Sequence, residues 1–293
     1  MSTLSISHKT RYSYDRPVEF GPHDLMLRPR DGHDMRILES SLTVSPPADV
    51  GWAYDTFGNS VAQLTFHEPA QELVIASQLR LRRYAFDDPL VRIGRRAGAH
   101  PPQYAPDEAF DLAPLLAIDR PRDADVVEAW ISAALPERPE GSAETLGALS
   151  MAVNESFVYR RREEKGVQSP AQTITTGSGT CRDFAFLFME AARSLGYAAR
   201  FVTGYLYDPA ADAADAERMT GGGATHAWAD VFLPGAGWVE FDPTNRIVAS
   251  RNLVRVATTR TPAQAIPVSG TFRTIGGGSQ TSMEVEVAVL RVP

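Results

Sequence analysis

The stretch "GSGTCRDFAFLFMEAARSLG" at residues 177–196 contains Cys181, which is the only cysteine of the chain. Gly196 is suited to end a helix here, and Thr180 is a candidate N-cap with Asp183 as its capping-box partner three residues later. Between these ends, apolar residues recur at helical spacing, at Phe184, Leu187, Phe188, Ala191, Ala192 and Leu195. The pattern predicts a buried helix whose first turn carries the thiol.

The start of a helix changes the chemistry of a thiol. Free backbone N–H groups and the positive end of the helix dipole favour a thiolate over a thiol. The N–H of Cys181 is also placed to donate to an oxyanion formed beside the sulfur, and the glycines at 177 and 179 allow a substrate to approach closely. A lone cysteine can equally be a small buried hydrophobic residue, so a reactive thiol needs a base nearby.

Only one histidine is suited to be that base. The other five lie in the first 100 residues, at His8, His23, His33, His67 and His100. His226 follows Cys181 in "THAWADVFLPGAGWVEFDPTN" at residues 225–245. Alternating apolar residues on both sides of Pro234–Gly237 indicate a β-hairpin.

The register of this hairpin selects a third residue. Burying the apolar parity of both strands together places His226 and Asp242 on the same face, because a one-residue slip would expose one apolar set. Asp230 shares that face but lies about 13 Å along the strand from His226, too far to orient the imidazole. Asp242 is a direct or diagonal neighbour across the hairpin. The sequence therefore favours Cys181, His226 and Asp242 as nucleophile, base and orienting carboxylate.

Three further residues have two interpretations each. Gln172 is a candidate second oxyanion donor or an ordinary polar loop residue. Trp228 and Tyr205 are candidates for the walls of a substrate cleft, or they are aromatic packing residues.

Other site chemistries fit the sequence less well. A zinc site built from Cys181, His226 and an Asp lacks CxxC or HExxH spacing. GSGTC lacks the Lys-Ser/Thr of a phosphate-binding loop, and it is not the GxSxG turn of serine hydrolases. We expect no metal and no cofactor. A binding protein whose polar residues are incidental stays open as an alternative.

Composition limits the partners and the location. The net charge of −7 argues against nucleic-acid binding, which requires a basic face. No apolar run reaches the roughly 18 residues that span a bilayer, and the N-terminus lacks the apolar core of a signal peptide. A single cysteine fits a reducing compartment. These features predict a cytoplasmic protein that binds neither nucleic acids nor membranes.

The chain divides into three parts. Residues 1–86 show period-two alternation between Pro, Gly and Asp turns, which predicts an antiparallel β-sandwich. Residues 87–122 are rich in proline and predict an irregular connection. Residues 123–293 contain predicted helices over 123–135 and 142–157, the Cys181 helix, the hairpin, and a late strand in TSMEVEVAVLRV. The fold class expected from these elements is α+β.

The blocks GSGTCRDFAFLFMEAARSLGYAARFVTGYL and THAWADVFLPGAGWVEFDPTN, in this order, resemble the transglutaminase-like core, a papain-related fold. In that family a Cys at a helix start, a His opening a strand and an Asp on the next strand form the catalytic triad. The resemblance implies these roles for Cys181, His226 and Asp242. HKTRYSYDRPVEFGPHDLMLRPR and the DTFGN turn are similar to the β-rich N-terminal region of bacterial transglutaminase-like proteins.

The resemblance implies thiol-dependent acyl transfer on peptide or carboxamide substrates. Members of the superfamily include protein cross-linkers, peptidases, amidases and non-enzymes that lost the triad, and the residues of the triad are present here. We favour hydrolysis, because water is abundant and cross-linking demands a site that excludes it. Transglutaminase-type cross-linking and a non-catalytic binding module are the alternatives. The calcium dependence of animal cross-linkers is not expected, because no calcium-loop spacing is present.

Overall fold

The computed structural model describes residues 2–84, 98–162, 166–212, 219–220, 224–250, 252–274 and 276–293. The strands are β1 (Ser2–Arg28), β2 (Met35–Ser45), β3 (Ala48–Tyr54), β4 (Ser60–Phe66), β5 (Ala70–Arg83), β6 (Val158–Tyr159), β7 (Ser178–Gly179), β8 (Ala199–Leu206), β9 (His226–Leu233), β10 (Gly237–Asp242), β11 (Ile247–Val248), β12 (Leu253–Thr259), β13 (Val268–Thr274) and β14 (Gln280–Val292). The α-helices are α1 (Pro106–Leu116), α2 (Ala124–Ala134), α3 (Ser142–Ser156), α4 (Pro170–Thr176) and α5 (Cys181–Ser194).

The helix that begins at Cys181 is the centre of the core. The core sheet is antiparallel, in the order β11-β10-β9-β8-β12, and the apolar stripe of α5 packs on one of its faces. Phe184, Leu187 and Phe188 are fully buried there, together with apolar residues of α2 and α3. Burying each such side chain contributes about 1.5–3 kcal/mol relative to exposure, so the predicted stripe fixes where the helix lies.

A second, seven-stranded antiparallel sheet is built around β1. The first half of this 27-residue strand pairs with β5 and β14, and its second half pairs with β4 and β13. The sheet curls over a buried apolar cluster that includes Val18, Leu25, Leu64 and Leu73. The predicted antiparallel strands are confirmed, whereas a sandwich of two separate sheets stays a prediction.

The C-terminal strand forms as predicted but pairs with the other end of the chain. β14 hydrogen-bonds to β1 in a register that runs from Thr3↔Val292 to Tyr14↔Gln280. The strands β13 and β14, which lie in the part of the chain predicted to form the core, therefore belong to the sheet built on β1. Alternation predicts that a segment is a strand, but it does not identify the strand's partner.

The proline-rich connection is more regular than predicted. Residues 85–97 lie outside the described residues, and α1 occupies residues 106–116 of the remainder. Pro106 stands in the first turn of this helix, where its missing N–H costs nothing. Asp107 and Glu108 in the same turn favour the positive end of the helix dipole. The high proline content therefore predicted an irregular segment where a helix begins at Pro106.

The β1 sheet packs on the core through an apolar layer and through polar contacts that include those of His8 and Asn59. Leu4, Ile6, Leu79 and Leu81 of the β1 sheet share a buried cluster with Tyr205, Tyr207, Val254 and Val256 of the core. The hydroxyl of Tyr205 lies 2.9 Å from Nδ1 of His8, a residue whose pKa burial lowers to about 4. The Asn59 amide pairs with the backbone of Thr258, at 2.7 Å to its carbonyl and 2.9 Å from its N–H. These contacts join the two sheets.

Candidate active site

Cys181 is the first residue of α5 and is 7% exposed. The chain that enters the helix is held by the short parallel pair β6–β7, in which Tyr159 stands opposite Gly179. The N–H of Val158 donates to the carbonyl of Gly177 at 3.0 Å, and the N–H of Arg160 donates to that of Gly179 at 2.8 Å. The backbone leading to the sulfur is therefore fixed before the helix begins.

Asp183 is the predicted capping partner and also the centre of a buried hydrogen-bond network. The N–H and hydroxyl of Thr180 donate to its Oδ2 at 2.8 and 2.9 Å. The N–H of Gln168 donates to Oδ1 at 2.7 Å, and Arg162 binds both oxygens at 3.1 Å. Asp183 is fully buried, and its carboxylate joins Arg162 and Gln168 to the start of the helix.

The hairpin has the predicted register and brings His226 and Asp242 together. Val239 pairs with Val231 and Phe241 with Ala229, so the apolar residues of both strands are buried together. Asp242 then lies diagonally opposite His226, and Nε2 of the imidazole donates to Oδ2 of the carboxylate at 2.7 Å.

Asp230 has a different environment on the same face. It pairs across the hairpin with Glu240, and its Oδ2 accepts from Arg200 at 2.8 Å. Arg255 approaches the same oxygen at 3.8 Å. Asp230 is thus part of a buried ionic cluster with two arginines and is not a partner of His226.

The surroundings of His226 favour the imidazolium. Burial lowers its pKa, but the charge and hydrogen bond of Asp242, together with hydrogen bonding and charge from Cys181, raise the pKa to about 10. Since Nε2 is bound to Asp242, Nδ1 is the nitrogen left for the sulfur, and no group among the described residues makes a well-formed hydrogen bond to it. The imidazole is therefore protonated at neutral pH, beside the thiol.

The carboxylate of Asp242 is held by residues that the sequence analysis missed. Its Oδ1 accepts from the N–H of Thr244 at 2.9 Å, and its Oδ2 accepts from Asn245 Nδ2 at 3.0 Å. Asn154 of α3 donates to the carbonyls of Pro243 and Thr244 at 3.0 and 2.8 Å, which anchors the turn. The position of Asn245 three residues after Asp242 was the one available signal, and Asn154 gave none.

Tyr159 is another missed residue near the thiol. Its partly buried ring makes an edge contact with Phe184, with centroids 6.3 Å apart. Burial, followed by the charge of Cys181, raises the pKa of Tyr159 to about 12, and the charge of Asp242 adds to the shift. The hydroxyl therefore stays protonated and can donate within the field of two members of the predicted triad.

The structure places the three remaining candidates away from these roles. Gln172 is exposed in the first turn of α4, where its Oε1 accepts from the N–H of Ser169 at 2.9 Å and caps the helix. Trp228 is fully buried, with its ring 6.1 Å from that of His226. Tyr205 is 1% exposed and bound to His8. The positions of Trp228 and Tyr205 fit packing, and that of Gln172 fits capping.

The described ranges contain neither a cluster of metal-binding side chains nor a helix suited to span a membrane. No group of three or more His, Cys, Asp or Glu side chains there is arranged to hold a metal ion. No helix among the same residues is long and apolar enough to cross a membrane.

Replacing Asp183 tests its structural role. Asp183→Ala removes the cap, the buried carboxylate that Arg162 binds and the acceptor of the Gln168 N–H. We expect a loss of about 3 kcal/mol, between the cost of a lost cap and that of a broken buried ion pair. Urea unfolding measures the loss, and iodoacetamide labelling of Cys181 persists in the folded fraction.

The matched control is Asp125→Ala, which changes an exposed acidic residue in the first turn of α2 and leaves stability within about 0.5 kcal/mol. A fully stable Asp183→Ala protein whose thiol no longer reacts would assign the carboxylate to the chemistry instead.

The imidazolium predicts the pH dependence of thiol reactivity. Because His226 holds its proton up to a pKa of about 10, a positive charge stands beside the sulfur through neutral pH, which is an environment that favours a reactive thiol. We expect alkylation of Cys181 by iodoacetamide to persist well below pH 8.5, which is about where an ordinary thiol ionises. The lone cysteine makes the label specific, and mass spectrometry gives the rate.

His226→Ala moves this alkylation profile towards that of an ordinary thiol. A profile already centred near pH 8.5 in the unchanged protein would show that no ion pair forms.

Two segments of the chain match known protein families. Residues 131–243 match the transglutaminase-like superfamily, and residues 4–82 match the bacterial transglutaminase-like N-terminal region. "Uncharacterized protein Rv2569c" of Mycobacterium tuberculosis (strain ATCC 25618 / H37Rv) is 29% identical over 304 residues, covering 96% of this chain and 91% of the relative. "Uncharacterized protein ML0607" of Mycobacterium leprae (strain TN) is 23% identical over 300 residues, covering 100% of both.

A solved structure described as a "Putative Cysteine Protease from Cytophaga hutchinsonii" has the same fold. It superposes with a TM-score of 0.74 at 23% identity, covering 100% of this chain and 92% of that one. Residues 131–243, which carry Cys181 and His226 and end just after Asp242, therefore form the core of a transglutaminase-like superfamily protein, preceded by a bacterial transglutaminase-like N-terminal region.

Proposed function

We propose that this protein catalyses acyl transfer on peptide or carboxamide substrates through Cys181, His226 and Asp242. The observation that carries the proposal is the buried 2.7 Å hydrogen bond between His226 and Asp242, next to the thiol at the start of α5. A buried imidazolium beside a thiol is the arrangement that activates a cysteine nucleophile.

In the proposed reaction, the Cys181 thiolate attacks the substrate carbonyl carbon and forms a C–S bond. His226 gives its Nδ1 proton to the departing nitrogen as the C–N bond breaks, which leaves a thioester and a free amine or ammonia. Water then attacks the thioester, His226 takes a proton from it, and the acid and the thiolate are released. Asp242 holds the imidazole in one orientation throughout.

The negative oxygen formed in each step needs donors. The N–H of Cys181 at the helix start is one of them in this mechanism. We assign the second to the hydroxyl of Tyr159, because Gln172 is occupied as a helix cap. The electrostatic influence of Cys181 on the pKa of Tyr159 supports this choice.

Hydrolysis is the proposed outcome, with a protein or peptide as substrate in the cytoplasm. Cross-linking to an amine is the second candidate. The low exposure of Cys181, His226 and Asp242, at 7%, 1% and 0%, favours this alternative, because a site that limits water gives an amine a better chance of reaching the thioester.

A panel of glutamine peptides and simple amides, assayed with and without a primary amine, separates these outcomes. We expect ammonia or amine release that depends on Cys181, with the carboxylic acid as the product. A product that carries the added amine would identify cross-linking. An absence of turnover across the panel, with a thiol that also resists alkylation, would leave a binding module. Cys181→Ser is the control.

Replacing each of the two hairpin aspartates with asparagine tests which of them is the third residue of the proposed triad. Asp242→Asn keeps the shape of the side chain but removes the charge that orients the imidazolium, so turnover falls by about 10²–10⁴-fold. Asp230→Asn loosens the contact with Arg200 and changes turnover per folded molecule by less than about tenfold. Steady-state rates on the same substrate measure both, and equal or reversed effects would contradict the assignment of Asp242.

A further inference from the structure

The side chain of Asn245 contacts two parts of the site with its one amide group. Its Oδ1 accepts from the N–H of Thr220 at 2.9 Å, and its Nδ2 donates to the Thr220 carbonyl at 3.2 Å. The same Nδ2 donates to Oδ2 of Asp242 at 3.0 Å. One side chain therefore links the carboxylate of the proposed triad to a backbone segment six residues before His226.

This amide and the imidazole share one carboxylate oxygen. Nδ2 of Asn245 lies 3.5 Å from Nε2 of His226, and both groups donate to Oδ2 of Asp242. The other oxygen accepts from the N–H of Thr244. Rotation of the carboxylate away from the imidazole would thus break the bond to Asn245 as well, which restricts Asp242 to the orientation that holds the ring.

A second asparagine in the chain makes the same set of bonds away from the site. Asn59 accepts from the N–H of Thr258 at 2.9 Å, donates to its carbonyl at 2.7 Å, and donates to Oδ2 of Asp55 at 2.8 Å. There the carboxylate belongs to a turn at the interface between the two sheets. Asn59 thus shows this bonding pattern in a purely structural setting, which makes it a matched control for Asn245.

We infer that Asn245 is a positioning residue of the reaction, which acts by holding Asp242 against His226 and by tying both to Thr220. The inference rests on the proposed function. Asn245 touches neither the sulfur nor the substrate in this mechanism. Its effect reaches the thiol through Asp242 and the imidazolium, and for this reason it alters reactivity as well as stability.

The test compares Asn245→Ala with Asn59→Ala. We expect Asn245→Ala to lower kcat by about 10–100-fold with little change in KM, the loss typical of groups that orient a reacting side chain. A less firmly held Asp242 stabilises the imidazolium less, so the midpoint of Cys181 alkylation by iodoacetamide moves to higher pH. Asn59→Ala lowers the melting temperature and leaves that midpoint unchanged.

A second variant keeps the test decisive if Asn245→Ala does not fold. Asn245→Gln retains the amide one methylene further out, and its alkylation midpoint is expected between those of the unchanged protein and His226→Ala. An unchanged midpoint in the folded Asn245 variants, or equal shifts in the Asn59 and Asn245 variants, would overturn the inference. A midpoint near pH 8.5 in the unchanged protein would instead overturn the proposed function on which it rests.

Discussion

The arrangement of the site depends on one buried hydrogen bond, from the imidazole of His226 to the carboxylate of Asp242. Both side chains are almost completely removed from water, and a charge in such a place is stable only when it is paired. The pair raises the pKa of His226 from its ordinary 6.5 to about 10, so its contribution to stability is complete below pH 6.5 and is lost as the pH rises through about 10. The hairpin register brings the two side chains together, and the Asn245 amide donates to the same carboxylate oxygen.

The parts of this site that could be predicted from the sequence are those determined by the local spacing of apolar residues. The apolar stripe after Cys181 predicted a buried helix, and the parity of the hairpin predicted that Asp242, and not Asp230, would reach His226. Both patterns are fixed by residues close in the chain. The structure brings His226 and Asp242 together as that register requires.

The missed features depend on contacts between distant segments. Tyr159 lies opposite Gly179, two residues before the thiol, because β6 pairs with β7, and alternation cannot reveal a pairing of only two residues. Asn154 anchors the turn after Asp242 through bonds to carbonyls that lie 89 and 90 residues later in the chain. The partner of β14 was missed for the same reason. Gln172 had two interpretations in the sequence, a second oxyanion donor or an ordinary polar residue, and its capping contact with Ser169 could not be read from the chemistry of the thiol.

The sheet built on β1 packs against two strands of the core sheet, β8 and β12. Its strands contain both ends of the chain, and its apolar face covers Tyr205 and Val254 on β8 and β12. β8 is in turn the neighbour of β9, the strand that begins with His226. A layer that buries residues of β8 and β12 thus restricts, through β8, the strand that carries the imidazole, since well-packed interiors transmit strain.

The protonation state of His226 is the most direct test of whether a buried imidazolium is paired with Asp242 beside the thiol. Nitrogen-15 NMR of the imidazole, assigned by comparison with His226→Ala, follows both ring nitrogens as the pH is raised. We predict that both ring nitrogens stay protonated through pH 8 and that the imidazolium loses a proton near a pKa of about 10. An imidazole that titrates near pH 6.5, or that is neutral at pH 7, would contradict it.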